Sequence, residues 1–368
     1  MADRVSRLGV KIRLGMRMVV TSFLLLFVVS IRPAAASFPP NQGRTVRDSL
    51  GRTVVIPARP ERILSLQPEI TRILAALGVS DRLVGLDYFI GREDHLFKLL
   101  FPGGPGLPVV SMPDESVNKE LILRLDPDLI FSSPTEVQVP DSIERSLGIP
   151  VAALASMGSF DGLLEELELV GDLTGRTERA RELGRYFREK IRSISESIGP
   201  LALEARPKAY LAFWSSLVRT PVRYEPVRTA GGRNAAEGLL PPHLGTAGTV
   251  ITVEKILEWD PEVILVQGSF LPRDRQVTVE GVLRDKRLSS VRAVRQGRVH
   301  YILGFWYWWD PAGVLAETLF LAKLFHPGTF GGLDLEKEGN AIYEKFYGKK
   351  DLFSKLISLL DLHEWTTK

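Results

Sequence analysis

"NKELILRLDPDLIF" at residues 118–131 and "TVEKILEWDPEVIL" at residues 252–265 repeat one pattern in one register. Both carry a glutamate, an Ile-Leu pair, Asp-Pro, a second acid and an apolar run. Each reads as a short helix with its glutamate (Glu120, Glu254) near the N-terminus, where the helix dipole favours a carboxylate. Asn118 and Thr252 are the N-cap candidates. Proline disfavours the α conformation in the residue before it, so Asp-Pro ends the helix and a strand follows. A cassette that occurs twice implies two similar α/β lobes. An acid at a helix start is ordinary in itself, so the spacing alone gives Glu120 and Glu254 no special role.

The same alternation extends outward from both copies. "RILSL" (62–66), "RLVGLDYF" (82–89), "DLIFSS" (128–133) and "PVAALAS" (150–156) read as strands, with "PEITRILAALG" (68–78) at helical spacing. Beyond Pro200 and Pro207, "KAYLAFW" (208–214), "EVILVQG" (262–268) and "RVHYILG" (298–304) form a second strand series. The fold class expected is α/β, two Rossmann-like lobes with mainly parallel sheets. Between them, residues 160–196 lack proline and carry Leu and Ile at helical intervals, which predicts one long helix or two nearly continuous ones. Gly171 and Gly175 weaken its middle. The divisions expected are 37–159, 160–196 and 197–326, with a helical extension over 327–368 packed beside the second lobe or partly mobile. "AGGRN" (230–234) reads as a helix–strand turn that needs glycine.

The first 36 residues form a separate unit of sequence. Arg4, Arg7, Lys11, Arg13 and Arg17 precede an apolar run from Met18 to Ile31, and Ala34-Ala35-Ala36 follows. That is the pattern of a cleaved secretory signal, and the run falls short of the roughly 20 residues a spanning helix needs. Cleavage after Ala36 would remove six basic residues and Asp3, taking the net charge from +3 to −2. The chain's basicity therefore belongs to that segment, and a nucleic-acid partner is not expected. With no cysteine in the chain, structural disulfides, thiolate metal sites and a lipidated cysteine are excluded. A soluble protein of the periplasm is expected.

In parallel α/β lobes, ligands sit beyond the carboxyl ends of the strands. Here that rule selects the loops from Gln67, Asp87-Tyr88-Phe89 and Ser132 in the first lobe. In the second it selects those from Trp214, Gln267 and Gly304. The last of these holds "GFWYWWDP" (304–311), between a strand and a helix with Asp310 as N-cap and Pro311 at its first position. In extended chain Phe305, Tyr307 and Trp309 point one way and Trp306 and Trp308 the other. One set can be core while the other lines the cleft. Arg219, Arg223, Tyr224 and Arg228 follow the first strand of the second lobe, where guanidinium groups would suit carboxylate or catecholate oxygens. The five histidines have no paired ligand spacing, and no metal site is expected. Neither G-x-S-x-G nor H-E-x-x-H occurs, so a hydrolase or metalloenzyme is a distant alternative to a binding protein.

From Arg47 to Phe346 the chain resembles the ABC-transporter substrate-binding proteins that receive iron–siderophore complexes, haem or cobalamin. The resemblance rests on the two cassettes with "DSLGRTVVIPARPERILSLQPEITRILAALGVSDRLVG" (48–85), "AGGRNAAEG" (230–238) and "LSSVRAVRQGRVHYI" (288–302). It implies two lobes joined by a single backbone helix, residues 160–196, with the ligand in the cleft between them. It also implies that Glu120 and Glu254 dock onto arginines of the inner-membrane permease, which works with its ATPase. Aromatic walls are implied for the ligand, with Trp306 the best positional match in the last loop. The ligand residues expected are Gln67, Tyr88, Trp214, Arg219, Arg223, Tyr224, Trp306, Tyr307 and Trp308. The cargo expected first is a ferric siderophore, with a cobalamin-type corrinoid or haem as alternatives. Haem is demoted because residues 107–117 lack the tyrosine that such receptors commonly place there, leaving Tyr88 and His95. A monomer with no resident cofactor is expected.

Overall fold

The structure, a computed structural model, describes residues 43–102, 106–112, 116–134, 138–156, 158–240, 248–304 and 309–366. The segment read as a signal sequence lies outside them. Four strands, β1 (Ile63–Ser65), β2 (Leu83–Leu86), β3 (Leu129–Ser132) and β4 (Val151–Ala153), form a parallel sheet in the order β2-β1-β3-β4. A second parallel sheet contains β5 (Lys208–Ala212), β6 (Arg233–Asn234), β7 (Val263–Gln267) and β8 (Val299–Ile302), in the order β8-β7-β5-β6. Each sheet thus runs second, first, third, fourth, so the order reverses between its first and third strands. The repeat seen in the sequence is a repeat of topology.

Helices α1 (Pro68–Ala76) and α2 (His95–Leu100) follow the first two strands. Helix α3 (Lys119–Leu125) is the first copy of the cassette and leads into β3. Asn118 Oδ1 accepts the Leu121 N–H at 2.9 Å, as an N-cap should. The Asp-Pro stop works differently from the expectation. Asp126 turns left-handed (φ 46°), and its N–H closes the helix on Ile122 and Leu123. Asp260 does the same at φ 41°. Aspartate tolerates this region better than most residues do, so it takes the post usually given to glycine.

The segment between the sheets is two helices, α4 (Phe160–Leu173) and α5 (Thr177–Ile198). They fold back on each other: Glu168 pairs with Arg188 at 2.8 Å, and Phe160 meets Phe187 edge-on at 5.3 Å. The glycines that weaken the middle explain this. Gly175 takes φ +69° in the turn, and a Cβ on Gly171 would lie 2.3 Å from that of Ala180. Only α5 runs on toward the second sheet. The expected linking helix over 160–196 is therefore an antiparallel hairpin with one continuing arm.

In the second lobe, α6 (Glu225–Thr229) follows β5, and α7 (Val253–Trp259) is the second cassette helix. Helix α8 (Pro311–Phe325) starts as read: Asp310 accepts the Ala312 and Gly313 N–H groups at 3.2 and 2.8 Å. It is buried on nearly every side.

Helices α9 (Leu335–Tyr347) and α10 (Leu352–Leu359) make up the extension. They are not confined to the second lobe. Helix α9 packs on α8, while α10 packs on α2 of the first lobe, where Lys349 donates to the Leu100 carbonyl. The chain then returns to the edge of the second sheet. Glu364 accepts the Tyr301 N–H at 2.7 Å, and the Trp365 indole donates to the Tyr301 carbonyl at 3.0 Å. Those contacts cover an otherwise open strand edge. Phe353 anchors the extension, fully buried between Tyr343 and Trp365. Phe353→Ala is expected to lower unfolding stability by about 3–5 kcal/mol, read as a lower urea midpoint.

Candidate functional site

The order reversal in each sheet puts a crevice beyond the carboxyl ends of its first and third strands. In the second lobe that crevice lies between the loops after β5 and β7. There the Trp214 N–H donates to Gln267 Oε1 at 2.7 Å, and Gln267 Nε2 reaches Ser269 at 3.0 Å. Trp214 and Ser215 both have φ 52°. Two consecutive non-glycine residues in this region cost free energy, and such strain collects at ligand sites. The half-buried Trp214 ring carries the Arg219 guanidinium over it, 5.5 Å from the ring centre. Together they make a flat platform with a positive charge on one side.

In the first lobe the corresponding loops follow β1, β2 and β3. Tyr88 is half-buried just past β2, its N–H held by Ser111 Oγ at 2.8 Å. Gln67 follows β1, but its side chain has a structural post. It is fully buried, caps α1 by accepting the Glu69 N–H at 3.2 Å, and donates to the Leu154 carbonyl at 3.0 Å. Nothing of it remains to meet a ligand in this structure.

Tyr224 is also placed in the core. It is 4% exposed, donates its hydroxyl to the Glu317 carboxylate, and packs edge-on against Phe213 at 5.3 Å. Its neighbour Arg223 is exposed, and Arg228 pairs with Glu225 at 2.9 Å. Trp306, Tyr307 and Trp308 lie outside the described residues. Trp309 is fully buried against Phe160 at 5.4 Å. Among the described residues no group of three His, Asp or Glu side chains is arranged to hold a metal ion.

Two buried glutamates hold the residues on either side of segment 305–308. Glu317 Oε2 accepts the Gly304 N–H at 2.8 Å, and Glu69 Oε2 accepts the Trp309 N–H at 2.9 Å. Glu69 also takes the Ser156 N–H and hydroxyl, each at 2.9 Å. Beside it lies Glu166, whose carboxyl is raised well above the ordinary range by burial and by the Glu69 charge. Burial and the neighbouring charge thus both favour the protonated form of Glu166. Burial also pushes Glu317 and Asp87 up to about 7.

Of these acids the sequence reading points only to Asp87, at the start of a loop that follows a strand. Glu69 looked like any first-turn acid. Glu317 did leave a signal, as the lone acid within the apolar helix "PAGVLAETLFLAKLF".

Glu120 and Glu254 stand exposed in the first turns of α3 and α7. Crossover helices run antiparallel to the strands they precede. Both glutamates therefore lie toward the carboxyl edge of their sheet, the end from which the loops after the strands project. Glu254 is held below the ordinary carboxylate range by hydrogen bonds to its own backbone N–H and to the Thr252 hydroxyl.

Residues 63–303 match the family described as periplasmic binding protein. The chain belongs to that family. Among relatives, this binding protein is 25% identical over 352 residues to the molybdate-binding protein MolA of Haemophilus influenzae, covering 85% of this chain and 93% of MolA. It is 26% identical over 234 residues to a cobalamin-binding protein of Halobacterium salinarum, covering 63% of this chain and 59% of that one. The solved structure of MolA with molybdate superposes with a TM-score of 0.71 at 23% identity, covering 83% of this chain and 98% of MolA. A structure from the ABC-type Fe3+-hydroxamate transport system of Saccharomonospora viridis superposes at 0.58 with 21% identity, covering 78% and 99%. No helix among the described residues is long and apolar enough to cross a membrane.

The raised acids set a pH dependence for this binding protein. The ordinary value for Glu317 is 4.5, and the folded protein holds that proton up to about 7. Its stabilising contribution is complete below the lower value and is lost as pH rises through the upper one. Asp87 acts in the same direction, from 3.8 to about 7. Unfolding free energy is expected to fall between about pH 4 and about pH 7, by about 1–3 kcal/mol for each acid. Glu317→Gln should flatten that fall in urea melts across the range.

Proposed function

We propose that this ABC-importer binding protein captures an anionic metal complex, a ferric siderophore first, and presents it to an inner-membrane permease and its ATPase. The observation that carries the reading is the Trp214–Arg219 platform on a strained loop at the sheet's reversal point. An aromatic face beside a guanidinium suits a flat, negatively charged chelate. The complex is cargo, and no resident cofactor or catalytic step is involved. In this reading the first 36 residues direct export to the periplasm and are removed, and the receptor acts as a monomer.

A second reading, a tetrahedral metal oxyanion, is favoured by the match to MolA along 93% of that protein. Tryptophan-fluorescence titration separates the two. Ferric catecholate and ferric hydroxamate should quench, and Arg219→Ala should weaken their binding roughly tenfold or more. Response to molybdate alone would select the oxyanion, and response to cobalamin or haem alone would select those cargoes. No response to any of them would end the metal-complex reading.

Glu120 and Glu254 are read as the two docking charges. Reversing both to lysine is expected to abolish uptake in a transport assay and leave ligand affinity intact. Uptake at the wild-type rate would remove that assignment.

A further inference from the structure

The two cassette helices match in more than their acids. Ile122 and Ile256 occupy equivalent positions and are both fully buried, so α3 and α7 sit on their sheets in the same rotational phase. That phase turns the next residue outward together with the glutamate two positions before the isoleucine. The residue is leucine in both copies: Leu123 is 53% exposed and Leu257 is 37% exposed. Each lobe thus presents a glutamate and a bare leucine one helical turn apart. Near the starts of the same helices, Met112 and Val250 are 58% and 67% exposed. A single exposed leucine on a surface needs no explanation. The same acid–leucine pair on both halves of an internal repeat does.

We propose that Leu123 and Leu257, each with its glutamate, form two equivalent docking contacts for the membrane-embedded subunits of the importer. The inference rests on the docking reading above and adds to it the chemistry of the partner. Two equivalent contacts fit a partner that displays one recognition site twice, a basic side chain beside an apolar pocket. The parts divide by range. The glutamates act at a distance and are screened by salt, so they set the approach. The leucines act only on contact by leaving water, so they set how long the complex lasts.

The test measures binding of the full-length receptor to its importer in nanodiscs, by surface plasmon resonance at low and high salt. Leu123→Ser and Leu257→Ser are each expected to speed dissociation roughly five- to tenfold. The double variant should multiply the two effects, and the salt dependence should stay as in the wild type. Glu120→Gln with Glu254→Gln should instead slow association and flatten the salt dependence. Wild-type dissociation in the double leucine variant, with the glutamate variant impaired, would overturn this inference and leave the docking reading standing. An unimpaired glutamate variant would overturn that reading itself. A leucine effect at one site only would overturn the equivalence of the two contacts. Ligand titration and thermal melting of each variant report directly on whether the fold and the cleft are intact.

Discussion

Glu69 is a carboxylate with no access to water, and the joint between the two sheets is built around satisfying it. It sits in the first turn of α1, and it collects donors from the loop after β4 and from Trp309 at the start of the last second-lobe helix. A buried charge left without partners costs several kcal/mol, so these groups must stay within hydrogen-bonding distance. Glu166 completes the arrangement by keeping its own proton. The result fixes the relation between a first-lobe helix and the far side of the segment that holds most of the aromatic octet.

A second buried cluster reinforces the first. Arg72 pairs with Asp94 at 2.6 Å inside the first lobe and lies in the field of Asp310, the α8 cap. Tyr347 of α9 donates to that same cap. The extension then crosses back to α2. The lobes are thus tied by α5, by buried acids at the joint and by the C-terminal helices. A receptor held at so many points has little freedom for wide closure. The strained backbone at Trp214 and Ser215 is kept on that same rigid frame.

Much of this was legible beforehand, for a local reason. The doubled cassette, the α8 start at Asp310-Pro311 and the strands flanked by turns are all decided within about ten residues of chain. Gln67 and Tyr224 both take structural posts, and for one cause. Gln67 and Tyr224 do stand past the ends of strands, as the loop rule requires. Yet the residue that follows a strand can cap the next helix or turn inward, and a partner distant in sequence chooses which. For Gln67 that partner is the Leu154 carbonyl, and for Tyr224 it is Glu317. Helices α4 and α5 failed differently. Their apolar periodicity is continuous, but periodicity does not record that Gly171 lets a neighbouring helix approach where a side chain would block it.

The sequence by itself determined that there are two α/β halves, where the paired glutamates stand, and which loops follow the carboxyl ends of the strands. Those properties follow from periodicity, capping and the chemistry of proline, all of which act over short range. Only the tertiary structure decided that the extension reaches the first lobe and that Trp214 and Arg219 stack. It also decided that Glu69, Glu166 and Glu317 are buried, and that Glu166 and Glu317 hold protons that exposed acids would release. Burial and long-range pairing depend on what the rest of the chain brings alongside, and no window of sequence contains that information.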